Sequence, residues 1–175
     1  MSTQTKGYTL MELLVTLTLM VVLTTLVIPG WATLLGEQRL AAATNTLIQA
    51  LTAARFAAVK RGEGVVLCPS TDGRVCAKVP YHRGWILRPA PETVPALETQ
   101  APVLRAWAGP RGAVAIHTGK GLARYVAYQP DGQTRQLNGA LQMGTFRLCQ
   151  GDQGRKVIIS QTGRVRVERA PCDTS

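Results

Sequence analysis

The sequence predicts an α+β chain in which one long N-terminal helix, half membrane-type and half amphipathic, packs on antiparallel β-sheets. Three observations carry that expectation. An apolar run from Tyr8 to Ile28 holds a single charge, Glu12; apolar residues then recur at helical spacing from Leu40 to Ala58; and from Val65 onward the chain breaks into short β-type runs separated by turn signals. A length of 175 residues leaves room for one membrane helix and one small domain.

The apolar run comes first. Its 21 residues, Tyr8 to Ile28, are rich in Leu, Val, Met and Thr. As a helix rising about 1.5 Å per residue they reach on the order of 30 Å, one bilayer core. An acid inside such a span costs about 2.5–3.5 kcal/mol unless it is paired, which makes Glu12 a functional candidate rather than a part of a plain anchor. A secretory signal peptide fits badly, because only Lys6 supplies a basic leader and no A-x-A-like site closes the run.

Pro29 and Gly30 follow, and a proline inside a helical pattern predicts a kink. Leu40, Ala43, Leu47, Leu51, Ala54 and Ala58 then mark one helix face, with Arg39, Asn45, Gln49, Thr52 and Arg55 on the others, so this half should lie against a sheet. The helix should end near "KRGEG", at Gly62 and Gly64. The β-type runs are "VVLC", "GWILRP", "VLRAW", "AVAIH", "RYVAYQ", "GTFRLC", "KVIIS" and "RVRV", punctuated by "TDG", "PDG" and "QTG". Between two of them, "PAPETVPALETQAP" from Pro89 to Pro102 has four prolines and no pattern, and reads as an exposed loop.

Formal charge is +10, from 20 basic and 10 acidic residues. From Arg61 onward there are 16 Lys and Arg against 8 Asp and Glu, so the excess belongs mainly to the presumed domain. A basic domain points to nucleic acid, anionic lipid or an acidic partner, with solubility as the plain alternative. The cysteines Cys68, Cys76, Cys149 and Cys172 lack the spacing or histidines of a zinc site, which favours disulfides in an oxidising compartment. Chain order favours Cys68 with Cys76 and Cys149 with Cys172; the other two pairings stay open.

The leader "MSTQTKG", the aromatic Tyr8 and "TLMELL" resemble the class III signal of type IV prepilins and pseudopilins. The resemblance implies cleavage by a prepilin peptidase between Gly7 and Tyr8, N-methylation of Tyr8, and Glu12 as the fifth mature residue. There it would pair with the N-terminal amine of a neighbouring subunit, offsetting the cost of burying either charge alone. Pro29 would be the twenty-second mature residue, where pilins carry a helix-bending proline. "LCPSTDGRVC", "GWIL", "YVAYQPDGQTR", "GTFRLC" and "KVIISQTGRVRV", in that order, are similar to the FimT/GspH branch, most like FimT. This implies a leader at 1–7, an assembly helix at 8–28, an amphipathic helix at 29–62 and a disulfide-stabilised periplasmic domain at 63–175. It further implies a bacterial inner-membrane protein that passes into a pilus or pseudopilus at the cell surface, with other major and minor pilins as partners.

Nothing in the sequence points to catalysis, a cofactor or a metal: there is no G-x-S-x-G, no phosphate loop and no H-E-x-x-H. His82 and His117 read as surface or strand residues, Asp72 and Asp131 as turn formers, Trp31 as an interface anchor, and Trp85 and Trp107 as sheet core. The basic residues near the C-terminus are more informative. In "GRVRV", period two puts Arg164 and Arg166 on one strand face and Val165 and Val167 on the other, where the valines can pack. Arg155, Lys156 and Arg169 are expected to add to the same patch. Arginine suits phosphate because its planar fork donates two parallel hydrogen bonds. FimT-like minor pilins of transformable bacteria bind extracellular DNA through a G-R-x-R motif, which Gly163, Arg164 and Arg166 match. The resemblance therefore implies non-specific binding of double-stranded DNA for natural transformation. A structural tip or priming pseudopilin, of a type IV pilus or a type II secretion system, is the alternative.

Overall fold

The computed structural model describes residues 7–172, apart from the side chains of residues 26–30, 32 and 33. The leader residues 1–6 and the side chain of Pro29, on which the expected kink rests, lie outside those described. The chain divides into two compact units, Met1–Gly36 and Glu37–Ser175.

In the first unit, helix α1 (Leu10–Arg61) starts at Thr9. The Glu12 N–H meets both the hydroxyl of Thr9, at 3.3 Å, and its carbonyl, at 3.1 Å. Thr9 and Glu12 thus have the spacing of a capping box, and an acid in the first turn suits the helix dipole. A local helical role for Glu12 stands beside the assembly role that the resemblance implies. Thr16, Thr18 and Thr25 each turn their hydroxyl onto a helix carbonyl at 2.8–2.9 Å, which covers a polar group on an otherwise apolar surface. The large apolar side chains from Leu10 to Leu23 are exposed in the single chain. Among the described residues no helix is long and apolar enough to cross a membrane. The span expected over Tyr8–Ile28 runs into residues 26–28, whose side chains are not among them.

In the second unit, Leu40, Ala43, Leu47, Leu51, Ala54 and Ala58 of α1 are all buried, joined by Ala50 and Thr44. The Thr44 hydroxyl is satisfied by the Leu40 carbonyl at 2.7 Å. The helix stops at Arg61, and Gly62 follows at φ 67.

Among the described residues eight strands follow, one for each β-type run: β1 (Val65–Pro69), β2 (Gly84–Pro89), β3 (Arg105–Ala108), β4 (Ala115–Thr118), β5 (Val126–Tyr128), β6 (Gly144–Gln150), β7 (Gln153–Ile159) and β8 (Val165–Pro171). They form two antiparallel sheets, ordered β3-β2-β1-β5 and β4-β6-β7-β8. The inner faces of both sheets share one core with α1, centred on Trp85, Tyr81, Tyr128 and Phe146. The α+β expectation holds.

The other face of the first sheet carries a smaller core of Val66, Ile86, Tyr125, Ala127 and the Cys68–Cys76 disulfide, whose Cα atoms are 5.5 Å apart. The Pro89–Pro102 stretch lies over it as a lid: half of its residues are exposed, as expected of a loop, but it is anchored through one buried side chain. Its 3₁₀ turn Pro95–Glu98 inserts Leu97, 1% exposed. The buried Arg88 guanidinium donates to the carbonyls of Leu97 at 3.0 Å and Thr99 at 2.8 Å. Backbone carbonyls thus give a buried cation its partners, the reason a proline-rich segment without periodicity is nonetheless fixed. In the neighbouring cysteine loop, Asp72 accepts the N–H groups of Arg74 at 2.8 Å and Val75 at 3.2 Å. Those donors hold its carboxyl below the usual range.

Leu97→Ala should empty this plug and destabilise the domain by about 2–5 kcal/mol, read as a lower urea midpoint at unchanged slope. A change under about 0.5 kcal/mol would class Leu97 with ordinary surface positions and sink the lid reading.

Candidate nucleic-acid interface

Strands β7 and β8 are joined by a loop of Gln161, Thr162 and Gly163. Gly163 N–H donates to the Ser160 carbonyl at 2.9 Å, and Ser160 N–H to the Arg164 carbonyl at 3.0 Å. With Gly163 at φ 74 this is a type I turn closed by a left-handed glycine. The turn does not float. A Cβ on Gly163 would run into the Gly132 carbonyl oxygen and would lie 3.1 Å from the Tyr128 ring. Thr134 N–H donates to the Gln161 carbonyl at 2.9 Å. The buried Thr134 hydroxyl sits 2.6 Å from the Gln142 carbonyl and 3.0 Å from that of Ser160. At the far end of β8, the Cys149–Cys172 disulfide ties the tail to β6 with a Cα separation of 5.6 Å.

This register assigns each basic residue to a face. Ile158 stands opposite Arg166, Lys156 opposite Glu168, and Arg155 opposite Arg169. Val157 and Ile159 are buried in the core, so residues of their parity on β7 face inward, and Ile158 and Lys156 face outward. Arg166 therefore lies on the outer face with Lys156, and Arg147 joins them opposite Lys156 on β6. Arg164 and Arg166 line one groove of about 570 Å³ with Met143, Thr145, Ile158 and Ser160.

Arg155 and Arg169 do not belong there, which corrects the expectation of a single patch. They face the helix side and, with Glu37 and Leu40, line a separate cavity of about 320 Å³. The reason is parity: an odd-numbered residue of β7 shares the face of the core. Val167 also departs from expectation. Val165 packs on the core, but Val167, the third residue of the edge strand β8, is 43% exposed.

The outer face is not purely basic. Arg166 Nε lies 3.4 Å from Glu168 Oε1, with both side chains largely in solvent. Such a pair is worth about 0–1 kcal/mol and is readily exchanged for another anion. Arg55, which sequence reading placed only on an exposed helix face, lies against the turn: its Nε would be 3.3 Å from a Gly163 Cβ and 3.1 Å from a Gly132 Cβ. No local signal marks it, because the juxtaposition is tertiary. His117 faces Arg147 across β4 and β6, while His82 sits in the separate 3₁₀ turn Tyr81–Arg83.

The geometry has counterparts among known proteins. The family described as "type II transport protein GspH" matches residues 43–163. No curated protein matches the chain. The crystal structure of the type IV minor pilin FimU of Pseudomonas aeruginosa (strain PAO1) in space group P21 is similar, with TM-score 0.60 and 24% identity over 75% of this chain and 90% of that one. Its P65 form gives TM-score 0.56 and 22% identity over 74% and 92%. At this identity the likeness is one of fold.

Gly163→Ala should destabilise the domain by more than about 1 kcal/mol, because it meets both an unfavourable φ and a backbone carbonyl. An unchanged thermal midpoint would show that the turn yields without cost and that Gly163 is not a structural requirement.

Proposed function

We propose that this chain, which belongs to the GspH family and is thus of the minor pilin or pseudopilin kind, grips the backbone of extracellular double-stranded DNA through Arg164 and Arg166 during natural transformation. One observation carries the reading: both guanidinium groups border a single open groove and are presented by a turn locked to the rest of the domain. Lys156 and Arg147 extend the basic field across the same face. Contacts of this kind hold phosphate without reading bases, so binding is weak per subunit, salt-sensitive and strengthened by several subunits along a fibre.

The family implies a protein anchored in a membrane and then assembled into a fibre. In this reading a peptidase cuts between Gly7 and Tyr8, both exposed, Tyr8 becomes the methylated N-terminus, and Glu12 pairs with that amine on a neighbouring subunit. A purely structural tip or priming role is the second reading. The observation favouring it is the pair Leu141 and Met143, each 54% exposed beside the basic groove, as expected of a protein contact.

The fragment Glu37–Ser175 contains the whole buried core, which begins at Leu40, and is the unit to test. Its binding to duplex DNA should weaken with salt, and the log–log slope should fall by about 0.9 for each of Arg164→Gln and Arg166→Gln. Wild-type binding and slope in both variants would remove these residues from the interface. No binding at low salt, even to long duplexes, would favour the structural role.

A further inference from the structure

The groove between the two arginines has more on its floor than phosphate binding requires. Ile158 is half-buried and Met143 is exposed, while Thr145 and Ser160 add hydroxyls beside them. Its volume of about 570 Å³ falls in the ~300–1,000 Å³ range of small-molecule sites. A surface that only gripped a duplex backbone would need no such cleft, since the bases of a duplex turn away from the protein toward their partners.

Arg164 and Arg166 are two residues apart in extended chain, a separation of about 6.6–6.8 Å. Successive phosphates of one extended nucleic-acid strand are a step of similar length apart. A strand held with one phosphate at each arginine therefore brings the intervening nucleoside over the cleft. In a duplex that base is paired and cannot enter. In an unpaired strand it can turn inward, bury one apolar face on Ile158 and Met143, and present its edge to Thr145 and Ser160. The Thr145 hydroxyl can donate or accept and so suits any base edge, while that of Ser160 is shared with the Thr162 hydroxyl at 2.8 Å and the Arg164 carbonyl at 3.3 Å.

We infer that the cleft between Arg164 and Arg166 is a subsite for an unpaired nucleobase, so that the domain prefers single-stranded DNA or frayed ends to an intact duplex. This rests on the DNA-binding reading above and adds the base to it. Glu168, 3.4 Å from Arg166, is displaced as counter-ion when phosphate arrives. The substrate class is an unpaired nucleotide within a strand, and selection among bases is slight, because apolar contact with a base face is sequence-tolerant.

The test uses the fragment Glu37–Ser175 and three probes of equal length: oligothymidylate, the corresponding strand with abasic sites throughout, and a blunt duplex. The single strand should bind about fivefold or more tighter than the abasic strand, the order expected when about 40 Å² of apolar surface leaves water. The Met143 and Ile158 methyl NMR signals should shift with the former and not with the latter. Thr145→Leu, which fills the cleft from a partly exposed position without adding an aromatic face on which a base could stack, should abolish that difference. Equal affinity for the single strand and the abasic strand, lost together in Arg164→Gln and Arg166→Gln, would overturn the base subsite and leave the backbone grip standing. Absence of binding by all three probes would overturn both.

Discussion

The basic face of the second sheet depends on a contact made beneath it, where the backbone of Gly163 lies against the carbonyl of Gly132 with no room for a side chain. Both glycines are left-handed, at φ 74 and 77, and each closes a three-residue hairpin turn. The two turns are then stitched by Thr134, whose N–H and hydroxyl meet the carbonyls of Gln161, Ser160 and Gln142. Gln142 continues the seam into the first sheet: its side chain accepts the Ala127 N–H at 2.8 Å and donates to the carbonyls of Gly121 at 3.0 Å and Tyr125 at 2.9 Å. Thr134 and Gln142 are among the few buried polar side chains, and a satisfied buried network of this kind specifies one arrangement rather than several. For the proposed phosphate contact this means preorganisation: Arg164 leaves a turn whose backbone is already fixed, so an anion bound there would cost only side-chain freedom.

The same economy of space governs the core. One helix serves the inner faces of two sheets because half of its buried stripe is alanine, at positions 43, 50, 54 and 58. Small residues let the helix approach closely, and the volume comes from the sheets and their connections. Tyr81, in the 3₁₀ turn before β2, spans both: its hydroxyl donates to the Leu67 carbonyl in the first sheet at 3.2 Å, and its ring meets Phe146 of the second edge-on at 5.0 Å. Burial pushes that phenol up from its ordinary pKa. The rigid centre makes the position of an exposed arginine at the periphery a defined quantity.

Much of this was legible in the residues, for physical reasons. The helix face from Leu40 to Ala58 and the eight strands follow from hydrophobic periodicity and turn chemistry, which are local. The misplacement of Arg155 came from a quantity that is not local, the register of β7 on β8, whereas Arg169 is set by β8 itself, which runs on to Pro171 and puts a residue three places past Arg166 on the opposite face. A three-residue loop pairs Ile159 with Val165 and sets Arg166 opposite Ile158. A two-residue loop would have slipped the register by one and put Arg155 on the arginine face, because side chains alternate with period two. "SQTGR" permits either loop, and the choice is made by the packing of Gly163 on Gly132. The Leu97 lid and the approach of Arg55 were hidden for the same reason: each is a contact between segments far apart in the chain.

The weight each part of the motif carries is therefore unequal. Gly163 is accounted for by φ and by steric exclusion, and would be required whether or not the surface bound anything. Val165 is accounted for by the core. The family match ends at Gly163, so membership says nothing about Arg164 and Arg166. What remains without a structural purpose is Arg164 and Arg166, both exposed. A fold needing only solubility there could use lysine, glutamate or glutamine on either side of Val165. Two arginines bordering one cleft, with a single glutamate as exchangeable partner, are the only part of the pattern that folding does not explain, and on them the choice between an anion-binding surface and a bare structural one turns.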